Sequence, residues 1–178
     1  MKKLCIALVA LSLLASGCSN PEEKYYGSYT GSIVLSDEAN RLIDDAAKKN
    51  GIDPAMIKEQ IQQMTFSLEL KDDGTYSSSN GRKTSTGTWS LDQDAGQIAL
   101  GINEEDKKEA REQFEAAKSS GTFPADMAAE MEEFLDKEFL GLNVVDSSTD
   151  LKISLSEIVG PIMLSLIGFD LDLVYKKN

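Results

Sequence analysis

Residues 66–102 read FSLELKDDGTYSSSNGRKTSTGTWSLDQDAGQIALGI, and this stretch decides the fold. Phe66, Leu68 and Leu70 occupy every second position, with Ser67, Glu69 and Lys71 between them, which is the two-residue period of a half-buried strand. Asp72-Asp73-Gly74 punctuates the run, Thr75 to Ser79 returns, and Asn80-Gly81 signals a type I′ hairpin. Lys83 to Leu91 continues with Trp89 and Leu91 alternating inward. After a turn from Asp92 to Gly96, Ile98, Leu100 and Ile102 share one face of the next strand. Consecutive strands joined by turns this short make an antiparallel meander.

Working outward, the period changes from 2 to 3.6 on both sides. Upstream, Tyr25 to Leu35 (YYGSYTGSIVL) is rich in aromatic and β-branched residues and reads as a long first strand. Ser36 caps a helix carrying Leu42, Ile43, Ala46 and Ala47, and Asn50-Gly51 stops it. Asp53-Pro54 opens a second helix with Met56, Ile57, Ile61 and Met64 on one face. Downstream, Asn103 caps a charged helix running to about Lys118, with Asp106 three residues on as a partial capping box. Another helix, from Pro124 to about Phe139, presents Met127, Met131, Phe134 and Leu135. Strands resume at Leu142 to Val145 and at Leu151, Ile153 and Leu155. Ser156 to Gly168 suits either type, and Phe169, Leu171, Leu173 and Tyr175 form a closing strand. The expected fold class is mainly β with inserted helices (α+β): an antiparallel meander or barrel of 7–9 strands carrying two helical hairpins. The insertions fall at about 37–64 and 103–140. The two hairpins echo each other at an offset of 70 residues, with Gly51/Gly121 and Pro54/Pro124 in register. Generic stop and start signals account for part of that echo.

Composition excludes several chemistries. Among 178 residues there are 18 Lys+Arg, 30 Asp+Glu and no His, for a net charge of −12. Without imidazole there is no Ser-His-Asp or Cys-His machinery and no His metal site. The acidity opposes nucleic acid, whose phosphates need basic residues. No catalytic residue, metal site or cofactor is read from the sequence.

The first residues carry an address. Lys2-Lys3 precede a run from Leu4 to Ala15 broken only by Ser12, too short for a bilayer span and suited to a signal peptide. The run ends in Leu14-Ala15-Ser16-Gly17-Cys18, which resembles the lipobox of bacterial lipoproteins. That resemblance implies a signal peptide over 1–17, a diacylglycerol on the Cys18 sulfur, and a lipidated tether over 18–24. It implies the membrane as a partner, through acyl chains on Cys18. With Ser19 after the cysteine, and no Asp there, it points to the outer membrane facing the periplasm. Cys5 leaves with the signal, so no disulfide is expected.

A second resemblance covers the body, 25–178. Tyr26-Gly27-Ser28-Tyr29, the run Leu70-Lys71-Asp72-Asp73-Gly74-Thr75-Tyr76, Gly87-Thr88-Trp89-Ser90-Leu91 and Gln97-Ile98-Ala99-Leu100 look like the lipocalin-like domains of bacterial lipoproteins. The likeness implies that Tyr29 plugs one barrel end, with Lys176 or Lys177 from the last strand as its partner. The helix pair after the first strand also resembles the portal of intracellular lipid-binding barrels.

These features give a candidate binding set of Met56, Ile57, Ile61, Met64, Met127, Met131 and Phe134, with Met163 further on. Flexible thioethers suit an adaptable apolar pocket, although methionine at helical spacing also serves as ordinary core. The acids from Glu104 to Glu115 alternate with Lys and Arg as solvated helix faces do. The helix after Pro124 is more one-sided, with Asp126, Glu130, Glu132, Glu133, Asp136 and Glu138 against Lys137, a set that reads as a solvated face before a cation site. Asp92-x-Asp94-x-Gly96 lacks the ligands of a calcium loop and reads as a turn. Three functions follow. The first is a lipid-anchored envelope protein holding a small apolar ligand in its barrel. The second is a non-enzymatic interaction or inhibitor module using its acidic helices. The third and weakest is a carboxylate hydrolase.

Overall fold

The computed structural model describes residues 20–121, 123, 128–145, 148–154, 157 and 171–178. After a short 3-10 turn at Glu23–Tyr25, the strands are β1 (Gly27–Val34), β2 (Phe66–Leu70), β3 (Thr75–Ser79) and β4 (Thr84–Asp92). They continue with β5 (Gln97–Gly101), β6 (Phe139–Val144), β7 (Leu151–Ser154) and β8 (Asp172–Lys177). Helices α1 (Asp37–Lys49) and α2 (Pro54–Gln62) lie between β1 and β2, and α3 (Glu104–Ser119) and α4 (Ala128–Leu135) between β5 and β6. Each strand pairs antiparallel with the next, and β8 returns to β1, so the sheet closes as an eight-stranded barrel. This is the α+β barrel with inserted helices that the alternating pattern implies, consistent with the lipocalin-like resemblance.

The connections divide the barrel into two unlike ends. At one end the strands are joined by the 71–74, 93–96 and 145–150 connections, and the Glu23–Tyr25 turn and Asn178 lie there too. The other end carries α1–α2, the Asn80–Lys83 hairpin tip and α3–α4. Local chemistry fixes the helix starts. The side chains of Ser36, Asp53 and Asn103 accept hydrogen bonds from the N–H groups of Ala39, Ala55 and Asp106. Both Gly51 and Gly121, which follow α1 and α3, hold positive φ, the helix-ending conformation that glycine adopts without strain.

Three boundaries differ from the sequence reading. Lys83 belongs to the turn: Gly81 takes the first central position at φ +80, and the Asn80 side chain accepts from the N–H groups of Arg82 and Lys83. The turn is therefore centred one residue later than a type I′ placement on Asn80-Gly81, and β4 begins at Thr84. Phe139 is not helical. It opposes Gly101 while Ile102 N–H donates to Glu138, so sheet pairing captures the chain soon after Leu135. The first strand starts at Gly27 because Glu23–Tyr25 turns back beneath the barrel. The expected helix start at Pro124, the strand position Leu155, the segment 156–168 apart from residue 157, and Phe169 lie outside the described residues.

Alternation fills the interior. Tyr29, Leu68, Leu70, Ile98, Leu142, Leu151, Ile153 and Leu173 are almost fully buried, and Tyr25, Tyr76, Trp89, Leu100 and Tyr175 complete one continuous core. Burying each large apolar side chain contributes roughly 1.5–3 kcal/mol, so this cluster is the main source of stability.

Two tyrosines in it are placed by glycines. Tyr175 stands opposite Gly31 on β1, and Tyr76 opposite Gly87 on β4. A Cβ on Gly31 would come within 2.7 Å of the Tyr175 ring, and one on Gly87 within 2.8 Å of the Tyr76 ring and 2.5 Å of the Gly101 carbonyl. Each ring therefore lies flat against a strand without a side chain beneath it. Gly87→Ala is expected to cost about 1–3 kcal/mol, because backbone and ring must both move. A chemical denaturation curve would check this, and an unchanged midpoint would contradict the close approach of β4, β5 and Tyr76.

Candidate functional site

The end bearing the tight turns is sealed from the sequence upward. Tyr25 and Tyr29 are both buried, and the Tyr29 hydroxyl donates to the Tyr25 carbonyl at 2.6 Å. Trp89 donates from its indole nitrogen to the Lys71 carbonyl at 2.9 Å, and Tyr26 meets the Trp89 ring edge-on at 5.7 Å. The Glu22 carboxylate accepts from Leu91 N–H, which ties the N-terminal turn across the opening. Tyr29 thus lies buried at this end. Lys176 does not join it: that side chain is exposed on the outward face, opposite Thr30. By alternation Lys177 is on Tyr29's side, and its ammonium donates to the Lys24 carbonyl at 2.6 Å. The cation that lies over an aromatic ring here is Lys24, 4.7 Å from the centre of Tyr25.

At the helix-bearing end the inward positions differ. Phe66, Ser78, Ser85 and Leu140 continue the inward-facing sets of β2, β3, β4 and β6, and all four are half-buried. Below them lie the buried rings of Tyr76 and Tyr175. The Tyr76 hydroxyl donates to the Gly101 carbonyl at 3.0 Å, and Tyr175 is hydrogen-bonded to Ser78. The inward positions at this level, called the cup below, are apolar on the Phe66 and Leu140 sides and carry hydroxyls on β3 and β4.

Its rim carries a charged cluster. β4 pairs with β5 only over Trp89–Asp92, so the upper part of β4 stands above the end of β5. The start of α3 lies against that free edge, where Asn103 Nδ2 donates to the Thr86 carbonyl at 2.9 Å and to Asp106 at 2.7 Å. Lys83, at the hairpin tip, reaches Asp106 at 2.7 Å and Glu109 at 2.5 Å. Burial pushes the Asp106 carboxyl upward, but hydrogen bonds from Lys83, Ser85 and Asn103 outweigh it, and the group titrates below the usual carboxylate range. Lys83 is raised by its hydrogen bonds to Asp106 and Glu109. Asp106 therefore stays ionised at neutral pH and is not poised to donate a proton.

The candidate residues from the sequence do not converge on the lumen. Met56 is 58% and Met64 50% exposed. Successive helix positions are about 100° apart, so Ile57 and Ile61 turn toward the protein while Met56 turns to solvent. Ile57, Met131 and Phe134 are half-buried on their helices, and Ile61 packs against the small cluster of Ile33, Ala39 and Leu171. Met127, Met163 and Cys18 lie outside the described residues. Phe66, Ser78, Ser85, Leu140 and Lys83 were missed, although inward alternation next to a helical insertion marks the first four. No three acidic or cysteine side chains gather as a metal site among the described residues.

Comparison with known proteins found no matching family model, no matching curated protein and no matching solved structure.

The sealed end makes a specific titration expected. Burial first, then the neighbouring Tyr25 and Asp150, push the Tyr29 hydroxyl up to about 12. Burial also raises Tyr76 and Tyr175. A phenol raised in the fold contributes stability that is complete below its unfolded value near pH 10 and is lost as pH climbs toward 12. Phenolate absorbance at 295 nm is expected to rise late, together with loss of structure. A single early transition near pH 10 in intact protein would show these rings to be solvated.

Proposed function

We propose that this chain is a lipid-anchored protein of the cell envelope that holds a small, largely apolar molecule at the helix-bearing mouth of its barrel. The observation that supports the reading is the difference in side chains at the two ends: hydrogen-bonded tyrosines and a tryptophan close one, while half-buried Phe66, Ser78, Ser85 and Leu140 face inward at the other. An eight-stranded barrel has just enough interior for side chains or one small ligand. Here the lower interior is filled by the core cluster, so a deep apolar container is replaced by a cup at rim level. Its ligand would be small and amphiphilic, an apolar body against Phe66 and Leu140 and a polar group toward the serine hydroxyls. The protein acts by binding, not by catalysis.

The lipobox supports the anchor. If Cys18 carries acyl chains, the tether to Glu23 spans at most roughly 15–20 Å at 3.3–3.6 Å per residue. It enters at the sealed end, so the mouth points away from the membrane surface and receives its ligand from the aqueous side of the outer membrane.

A second reading, docking of a protein partner on the α1–α2 hairpin, is favoured by one observation: Ile52, Met56 and Met64 are all about half-exposed there.

Two experiments test the proposal. Protein purified from its native membrane, extracted with organic solvent and examined by mass spectrometry, is expected to release one apolar species in near-stoichiometric amount. Ser85→Phe, which fills the cup, is expected to lower that yield about tenfold at unchanged circular dichroism, the loss of roughly 1.4 kcal/mol of binding. An empty extract from the parent protein would refute the binding reading. Cys18→Ala is expected to abolish labelling by a palmitate analogue and to release the protein from the membrane fraction, and persistent labelling would refute the anchor.

A further inference from the structure

We propose that α3–α4 is a hinged side wall of the upper barrel, held shut by Lys83 clamped between Asp106 and Glu109, so that this ionic clamp regulates access to the cup. The inference rests on the binding reading above and adds its control.

Geometry makes the pair of helices a unit of its own. Arg111 is ion-paired with Asp136, and Lys118 with Glu132 at 2.9 Å, tying α3 to α4. The one large buried side chain of α3 is Phe114, which packs edge-on against Phe123 at 5.0 Å and lies outside the barrel core. On α4 the buried apolar side chain is Leu135, which like Phe114 lies outside the barrel core cluster. Among the described residues, polar contacts from the hairpin to the barrel gather at one place: Asn103 on the Thr86 carbonyl, Ser85 on Asp106, and Lys83 on both carboxylates. The chain enters and leaves beside the paired Gly101 and Phe139, so a rotation about those two positions swings the helices without breaking the barrel.

The remaining charges near the clamp are Arg82 beside Lys83, Glu105, and Glu104, which Lys107 already engages at 3.3 Å. Lys83 is thus the residue that bridges from the β3–β4 tip to α3. Its side chain is 48% exposed, so dissolved salt reaches and screens it.

Hydrogen–deuterium exchange on the purified full chain tests the clamp without any ligand. Lys83→Met is expected to accelerate exchange about three- to tenfold across 104–119 and 128–135 and to leave β1–β8 unchanged. Raising sodium chloride to about 1 M, where screening acts within roughly 3 Å, is expected to do the same in the parent and little in the variant. Unchanged exchange in α3, or equal acceleration of helices and strands, would overturn the clamp. Nile red, a neutral apolar probe, is expected to enter Lys83→Met faster by a similar factor. Equal entry rates would overturn the regulatory role, and no Nile red binding to either protein would overturn the binding reading itself.

Discussion

Tyr175 against Gly31 and Tyr76 against Gly87 are the contacts on which the rest of the molecule depends. A closed barrel of eight strands must fill its interior or leave it open to solvent. With two long rings laid against the glycines of neighbouring strands, the barrel does both, at different heights. Below them the aliphatic residues and Trp89 interdigitate into a packed core. Above them Ile33 and Phe66 meet a second cluster with Ala39, Ile61 and Leu171, while Leu140, Ser78 and Ser85 stay half-buried. The glycines are what permit it, since a side chain at either position would occupy the space of the ring.

The charge distribution follows the same division. On the outer wall of β1–β4 the outward residues are almost all serine and threonine, from Ser28 and Thr30 through Ser67 and Ser77 to Thr86 and Ser90. The acids gather on the helices and at the turns. At the helix-bearing end Lys83 stands between two of these acids, Asp106 and Glu109.

Much of the fold was legible in the sequence, for identifiable reasons. The alternation from Phe66 to Ile102 is strict because one face of each strand must be buried, and the caps Ser36, Asp53 and Asn103 precede their helices because orphan N–H groups need an acceptor. The position of the Asn80-Gly81 turn was not legible to the residue, since whether Gly takes the first or second central place depends on the pairing of Ser79 with Thr84. The cup was harder still. Ser78 and Ser85 look like solvent-facing polar residues until the register sets them on the inner face, and Met56 looks like core until α2 is seen to bury nothing fully. Gly31 and Gly87 offered the one local hint, glycine inside a strand, which marks a close approach without naming the partner.

The central claim is that matter can enter this barrel only above the two tyrosines. A short bromoalkane diffused into crystals and located by the anomalous scattering of bromine tests it most directly. The account expects bromine between Phe66 and Leu140 and none among Leu70, Ile98 and Leu151. Bromine at that lower level, or in the region of Tyr25 and Tyr29, would contradict it.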